Sequence, residues 1–81
     1  MDLRLIEVVL SSDSARRIPD LLSEQQTIGV WNESLDESRR LSRILTTADE
    51  VEAIIDCVQN AFGQQPDLRV LVFRVEATIP E

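Results

Sequence analysis

The sequence predicts an α+β fold in which two helices cover one face of a four-stranded antiparallel sheet. Two amphipathic helical patterns and four runs rich in β-branched residues alternate along the 81 residues in the order β-α-β-β-α-β. A chain of this length predicts one domain over residues 1–81, because domains usually run to about 100–200 residues. Its apolar fraction of 43% indicates a packed core rather than disorder.

The first half of the chain predicts a strand, a helix and a second strand. The run Leu3–Leu10 is mostly apolar on both faces, which is typical of a central strand. Ile18, Leu21 and Leu22 then recur at helical spacing, and they predict a helix over 15–26. Its start is irregular, because Pro19 cannot donate a backbone hydrogen bond. A short strand is expected over 27–35.

The second half predicts a strand, a long helix and a final strand. The run Arg39–Thr46 completes a hairpin with the preceding strand, and 67–77 alternates as a last strand. Thr47 and Glu50 fit a capping box, and Gly63 fits the helix end. Between them runs the strongest apolar stripe of the chain: Val51, Ile54, Ile55, Val58 and Phe62. The order is that of the ferredoxin-like split β-α-β arrangement, with the first and third strands central.

Composition excludes several classes of function. Fifteen acidic residues against eight arginines give a net charge of −7, which argues against binding nucleic acid through its phosphates. No apolar run approaches the ~20 residues of a membrane span. The chain has no His and one Cys, so no zinc site, internal disulfide or histidine-activated nucleophile can form within it. We therefore expect no catalytic residues, no metal and no cofactor.

The first and last strands carry more apolar surface than two helices can cover. If Ile6, Val8, Leu10, Leu71, Phe73 and Val75 pack under the helices, the other side of the sheet remains open. Such a patch is typical of an interaction surface, and Trp31 on the second strand is either part of it or a cap on the core. The candidate interface residues are Leu5, Glu7, Val9, Val70, Val72, Arg74 and Trp31. Glu7 and Arg74 are expected to pair across strands, the alternative for Glu7 being a ligand-binding carboxylate.

Arg39, Arg40 and Arg43 form the densest basic cluster. Guanidinium groups suit phosphate or carboxylate, so these residues and the turn Ser11–Ser14 are candidates for anion binding. The alternative is a solvated strand whose arginines pair with Asp36, Glu37 or Glu33. Cys57, on the flank of the long helix, is expected to be inert.

Three segments resemble a known family. The opening run Leu3–Leu10, the helix from Thr47 to Asp56 and the closing run Arg69–Pro80, with its V-E-A-T-I-P end, are similar to a bacterial and archaeal membrane-protein family. This is the uncharacterised hydrophobic family called domain of unknown function 389. The resemblance implies that the segment precedes a multi-helix membrane region and lies on the cytoplasmic side. It implies no catalytic residues.

Two functions are therefore expected as alternatives. The first is a non-enzymatic regulatory or oligomerisation domain of a membrane protein, which forms a homo-oligomer through the open sheet face or an edge. The second is a sensor of a small ligand, such as an anion, a nucleotide or an amino acid, of the ACT-like type built on paired ferredoxin-like domains.

Overall fold

The computed structural model describes residues 2–76 of the chain. Its elements follow the predicted order, with the first predicted helix divided in two. Their bounds are β1 Leu3–Ser11, α1 Ser12–Ala15, α2 Ile18–Leu21, β2 Gly29–Ser34, β3 Arg39–Thr47, a 3₁₀ turn Ala48–Glu50, α3 Val51–Phe62 and β4 Arg69–Val75.

The four strands form one antiparallel sheet in the order β2-β3-β1-β4. The predicted ferredoxin-like fold is confirmed, with β1 and β3 central and β4 pairing with β1. Residues directly opposite each other on neighbouring strands point to the same face, so the register assigns every side chain to one side. Ile6 lies opposite Ile44 on one neighbour and opposite Val72 on the other.

The core lies between the sheet and the helices. Ile6, Val8 and Leu10 of β1 have no exposed surface, and Ile44 of β3 joins them. The helices contribute apolar side chains to the same cluster: Ala15, Ile18, Leu22, Ile54, Val58 and Phe62. All the helices therefore cover one face of the sheet, which leaves the other face open.

The prediction of one continuous helix over 15–26 is wrong, although its predicted irregular start near Pro19 is confirmed. Two helices of one turn each replace it, and the chain between them passes through Arg16 and Arg17. Pro19 lies in the first turn of α2, where its missing N–H costs no helical hydrogen bond. The side chain of Ser11 caps α1 by accepting a 3.3 Å hydrogen bond from the amide of Ser14.

The long helix α3 has the predicted stripe and a different start. Ile54, Val58 and Phe62 are buried, as predicted. The expected capping box does not form, because a 3₁₀ turn precedes α3 and the Thr47 side chain makes no cap hydrogen bond. The helix ends at Gly63, where an added Cβ would lie 2.5 Å from the carbonyl oxygen of Gln59.

Two strand bounds differ from the prediction. The strand β2 begins at Gly29 rather than Thr27, although the amide of Ile28 already donates a 2.7 Å hydrogen bond to the carbonyl of Leu45. The strand β4 covers Arg69–Val75. The predicted last strand residue, Ala77, and the closing T-I-P residues of the family resemblance lie outside the described residues.

Candidate functional site

The candidate site is the face of the sheet opposite the helices, here called the open face. The β1–β3 and β1–β4 registers place alternate residues of each strand on it. Its central members are Leu5, Glu7, Val9, Leu41, Arg43, Leu45, Gly29, Trp31, Glu33, Arg69, Leu71 and Phe73. Most are apolar, and no described helix covers them.

The outer strands give the open face its exposed apolar surface. Trp31 on β2 is 45% exposed, and Leu71 and Phe73 on β4 are 49% and 45% exposed. Leu5 and Leu45, on the two central strands between them, are half-buried. Exposed apolar side chains on both outer strands are typical of a surface that contacts another molecule.

A charged group crosses the middle of this apolar surface. The guanidinium of Arg43 donates a 3.0 Å hydrogen bond from Nε to Glu7, and its Nη1 forms an ion pair with Glu33. The hydrogen bond to Glu7 is the largest of the effects that raise the pKa of Arg43 above its ordinary value. Arg43 therefore stays charged and holds two carboxylates in place on the face.

The predicted placement of β4 is wrong. Val70 and Val72 lie opposite Val8 and Ile6, so they point to the helix side of the sheet together with Arg74. Val70 packs against the core, while Leu71, Phe73 and Val75 point to the open face. The reversal arises because β4 is apolar on both sides, so alternation alone cannot fix which side faces the helices.

The predicted pair between Glu7 and Arg74 does not form. Glu7 lies opposite Leu71 on β4, and it binds Arg43 of β3 instead. Arg74 lies opposite Arg4 on the helix side. The remaining predicted interface residues, Leu5, Val9 and Trp31, do lie on the open face.

Sequence reasoning missed Leu71 and Phe73 as open-face residues and Glu7 as a partner of Arg43. No local signal in the sequence gives the direction of β4, which follows from its packing in the fold. Leu68 and Val70 are two residues apart, and both pack against the core after α3. Residues between and beyond them, such as Arg69 and Leu71, must then point to the opposite side.

The predicted arginine cluster is divided between the two faces. Arg39 and Arg43 share the open face with Leu41, whereas Arg40 lies opposite Leu10 on the helix side. Three adjacent residues of a strand alternate in direction, so they cannot converge on one anion. Among the described residues, Arg40 is the one of the three arginines with no carboxylate within ion-pair distance.

Arg39 is held by the β2–β3 turn. Its Nε and Nη2 donate hydrogen bonds of 2.9 and 2.7 Å to Asp36 Oδ2, while the amides of Ser38 and Arg39 donate to Oδ1. The bonds from Arg39 and Ser38 lower the pKa of Asp36 from 3.8 to about 2. The expectation that these arginines pair with neighbouring acidic residues therefore holds for Arg39 and Arg43.

The predicted serine turn makes hydrogen bonds within the chain. Ser11 Oγ accepts from the amide of Ser14, and Ser14 Oγ accepts a 2.7 Å hydrogen bond from Gln65 Nε2. Ser14 is buried. The Ser11 hydroxyl caps α1, and the Ser14 hydroxyl links α1 to the loop after α3, so both have structural roles.

Two shallow clefts lie at the other end of the sheet. One of about 270 Å³ is lined by Gln26, Thr27, Ile28, Thr47 and Glu50, and one of about 300 Å³ is lined by Asp2, Thr47, Ala48 and Asp49. Their charged residues are acidic, so neither suits a phosphate.

Residues 2–76 contain no cluster of Cys, Asp and Glu that could hold a metal ion. Within the same residues, no helix has the length and apolarity needed to cross a membrane.

Comparison with known proteins by sequence gives no relative. No family model matches the chain, and no curated protein matches it. The expected relationship to the membrane-protein family therefore stays a prediction.

Comparison by structure gives similar folds. The nitrogen regulatory PII-like protein CPII from Thiomonas intermedia K12, bound to ADP, AMP and bicarbonate, is 15% identical, with a TM-score of 0.81 over 99% of this chain and 94% of that one. A DUF3240 family protein from Shewanella baltica has 15% identity and a TM-score of 0.79, covering 94% and 92%. The GlnK–ATP complex of B. subtilis has 13% identity and a TM-score of 0.77, covering 96% and 85%. These similarities show that the chain has the ferredoxin-type fold of PII-like proteins.

Proposed function

We propose that the protein is a non-enzymatic regulatory protein that binds a small ligand and assembles with copies of itself through the open face. The observation that carries the proposal is an apolar sheet face whose central charges are already paired by Arg43. Burying this face in an assembly removes apolar surface from water without leaving Arg43 unpaired. The similarity to nucleotide-bound PII-like structures supports a ligand-responsive role for the same fold.

The proposed ligand is an anion of the adenine nucleotide class, since two of the similar structures are complexes with ADP, AMP or ATP. Arg40 is the predicted anion-binding residue best placed to meet it. It is half-buried at the beginning of β3, where it lies opposite Leu10, the residue before the end of β1 at Ser11. Arg39 and Arg43 serve the turn and the open face instead.

The test is a thermal-shift titration of the intact chain with ADP, AMP, ATP and inorganic phosphate. At a hundredfold excess over Kd, a ligand stabilises the folded state by about 2.7 kcal/mol. The substitution Arg40→Gln should abolish the shift, while Arg74→Gln, which changes an arginine near the far end of the sheet, should preserve it. Absence of a shift with every anion would overturn the ligand-binding part of the proposal.

A non-enzymatic role is supported by the surroundings of the side chains that could otherwise react. The chain has no His, and Cys57 is half-buried, with its sulfur accepting a hydrogen bond from Gln25 Nε2 at 3.3 Å. The carboxylates of the open face are bound to Arg43 rather than directed at each other.

A second candidate function follows from the sequence resemblance of the opening strand, the long helix and the closing strand to the membrane-protein family. In this form the domain regulates an attached membrane region from its cytoplasmic side. Membrane fractionation of cells that express the complete reading frame from its own gene tests the idea. Recovery with the membranes supports attachment, and recovery only in the soluble fraction contradicts it.

A further inference from the structure

The open face has a regular arrangement of charge across its four strands. The registers align its residues in three rows that run from β2 through β3 and β1 to β4. The first row is Glu33, Leu41, Val9 and Arg69, the second is Trp31, Arg43, Glu7 and Leu71, and the third is Gly29, Leu45, Leu5 and Phe73. Opposite charges therefore stand at the two ends of the first row and at the centre of the second.

The two outer charges have surface available for a partner. The Glu33 side chain is 52% exposed even though it contacts Arg43. Arg69 is exposed, and within residues 2–76 no carboxylate lies within ion-pair distance of it. The three rows together carry two carboxylates and two guanidinium groups, so they have no net charge.

The order of the rows determines how a second copy can face the first. If the two copies are related by a rotation about an axis parallel to the strands, each row of one copy meets the same row of the other. The β2 edge of one copy then lies next to the β4 edge of the other. Glu33 then meets the Arg69 of the other copy, and Trp31 meets its Leu71. Both contacts arise in a two-fold pair and in any larger ring about that axis.

The other two-fold arrangement, with its axis in the sheet plane and perpendicular to the strands, is unfavourable. It places β3 over β3 and β1 over β1. Centred on the second row, it sets Arg43 against Arg43 and Glu7 against Glu7. Shifted by half a row, it sets those charges against Leu41 and Val9. Like charges set against each other at an interface cost several kcal/mol. In the shifted form, Glu33 and Arg69 meet Trp31 and Leu71 and gain no opposite charge from the other copy.

We propose that a second copy of this chain covers the open face about an axis parallel to the strands, with Glu33 of each copy paired to Arg69 of its neighbour. This inference rests on the proposed assembly through the open face and specifies its geometry. Opposite charges meet in the first and second rows, and apolar side chains meet in the third, which distinguishes a matched contact from non-specific apolar association.

The test is a charge-reversal exchange measured by sedimentation equilibrium of the intact chain. Arg69→Glu and Glu33→Arg should each weaken assembly about tenfold or more, because each sets like charges across the contact. In a two-fold pair or a ring with an even number of copies, mixing the two variants in equal amounts should restore assembly, since every contact between unlike copies again pairs opposite charges. The double variant Glu33→Arg, Arg69→Glu should also assemble. Arg16→Glu and Glu24→Arg, at exposed positions outside the sheet, are the matched controls.

The outcomes separate this inference from the proposed function. A wild-type chain that stays monomeric at high concentration overturns both. A wild-type chain that assembles, with single variants that assemble equally well or a double variant as weak as the single variants, overturns the Glu33–Arg69 geometry alone. Recovery on mixing also shows that each variant is folded, because a misfolded chain could not supply its half of the contact.

Discussion

The strand β4 offers a sharp test of which sheet face mediates assembly. Leu71 and Val72 are neighbours with similar exposure, 49% and 44%, and they point to opposite sides of the sheet. Complete burial of a leucine side chain contributes about 1.5–3 kcal/mol, so burying the half of Leu71 that remains exposed contributes about 0.7–1.5 kcal/mol. Two copies of Leu71 in a two-fold assembly then contribute about 1.5–3 kcal/mol, which is about a tenfold to hundredfold change in Kd.

The perturbation is Leu71→Ser, with Val72→Ser as its matched control on the same strand. Sedimentation equilibrium over a dilution series measures Kd for each, and urea unfolding in the dissociated state checks that both variants fold. We expect Leu71→Ser to raise the Kd of assembly about tenfold to hundredfold. Val72→Ser should leave Kd close to the wild-type value. Equal effects, or a larger effect at Val72, would refute assignment of the interface to the open face.

Two further predictions concern the stability of the chain, measured by urea denaturation in the Leu71→Ser background. Ile54→Ala should lower the free energy of unfolding by about 2–5 kcal/mol, because Ile54 is fully buried. Ile55→Ala should lower it clearly less, because Ile55 is half-buried. Equal losses would contradict the assigned face of α3. The pKa of Asp36 is lowered from 3.8 to about 2 in the folded chain, so its carboxylate stabilises the folded state at pH values above 3.8. This contribution is lost as the pH falls towards 2. The difference in unfolding free energy between the wild type and Asp36→Asn should therefore shrink over that interval, and a difference independent of pH would exclude this role for the turn.

Sequence reasoning predicted the elements with strong local signals. The α3 stripe was predictable because Ile54, Val58 and Phe62 repeat at helical spacing, and Gly63 marked its end. The faces of β1 were also predictable, because Glu7 interrupts one side while Ile6, Val8 and Leu10 are uniformly apolar. The fold class followed from the order of these elements.

The parts that failed depend on contacts between distant segments. The direction of β4 side chains is fixed by the pairing of Val70 with Val8 and by the packing of Val70 against the core, neither of which is local. The arginine cluster looked like one site because Arg39, Arg40 and Arg43 are close in sequence, although a strand points successive residues to opposite sides. The ion pair from Glu7 to Arg43 joins residues 36 positions apart, so no spacing rule reveals it.

The fluorescence of Trp31 tests the central claim most directly, because it is the sole tryptophan of the chain and lies on the open face. In the assembled protein we expect a blue-shifted emission that is protected from acrylamide, and dilution should shift it to the red as copies separate. The red shift should follow the same concentration dependence as the loss of mass in sedimentation. An assembly that forms while Trp31 keeps the emission and quenching of the monomer would contradict burial of the open face.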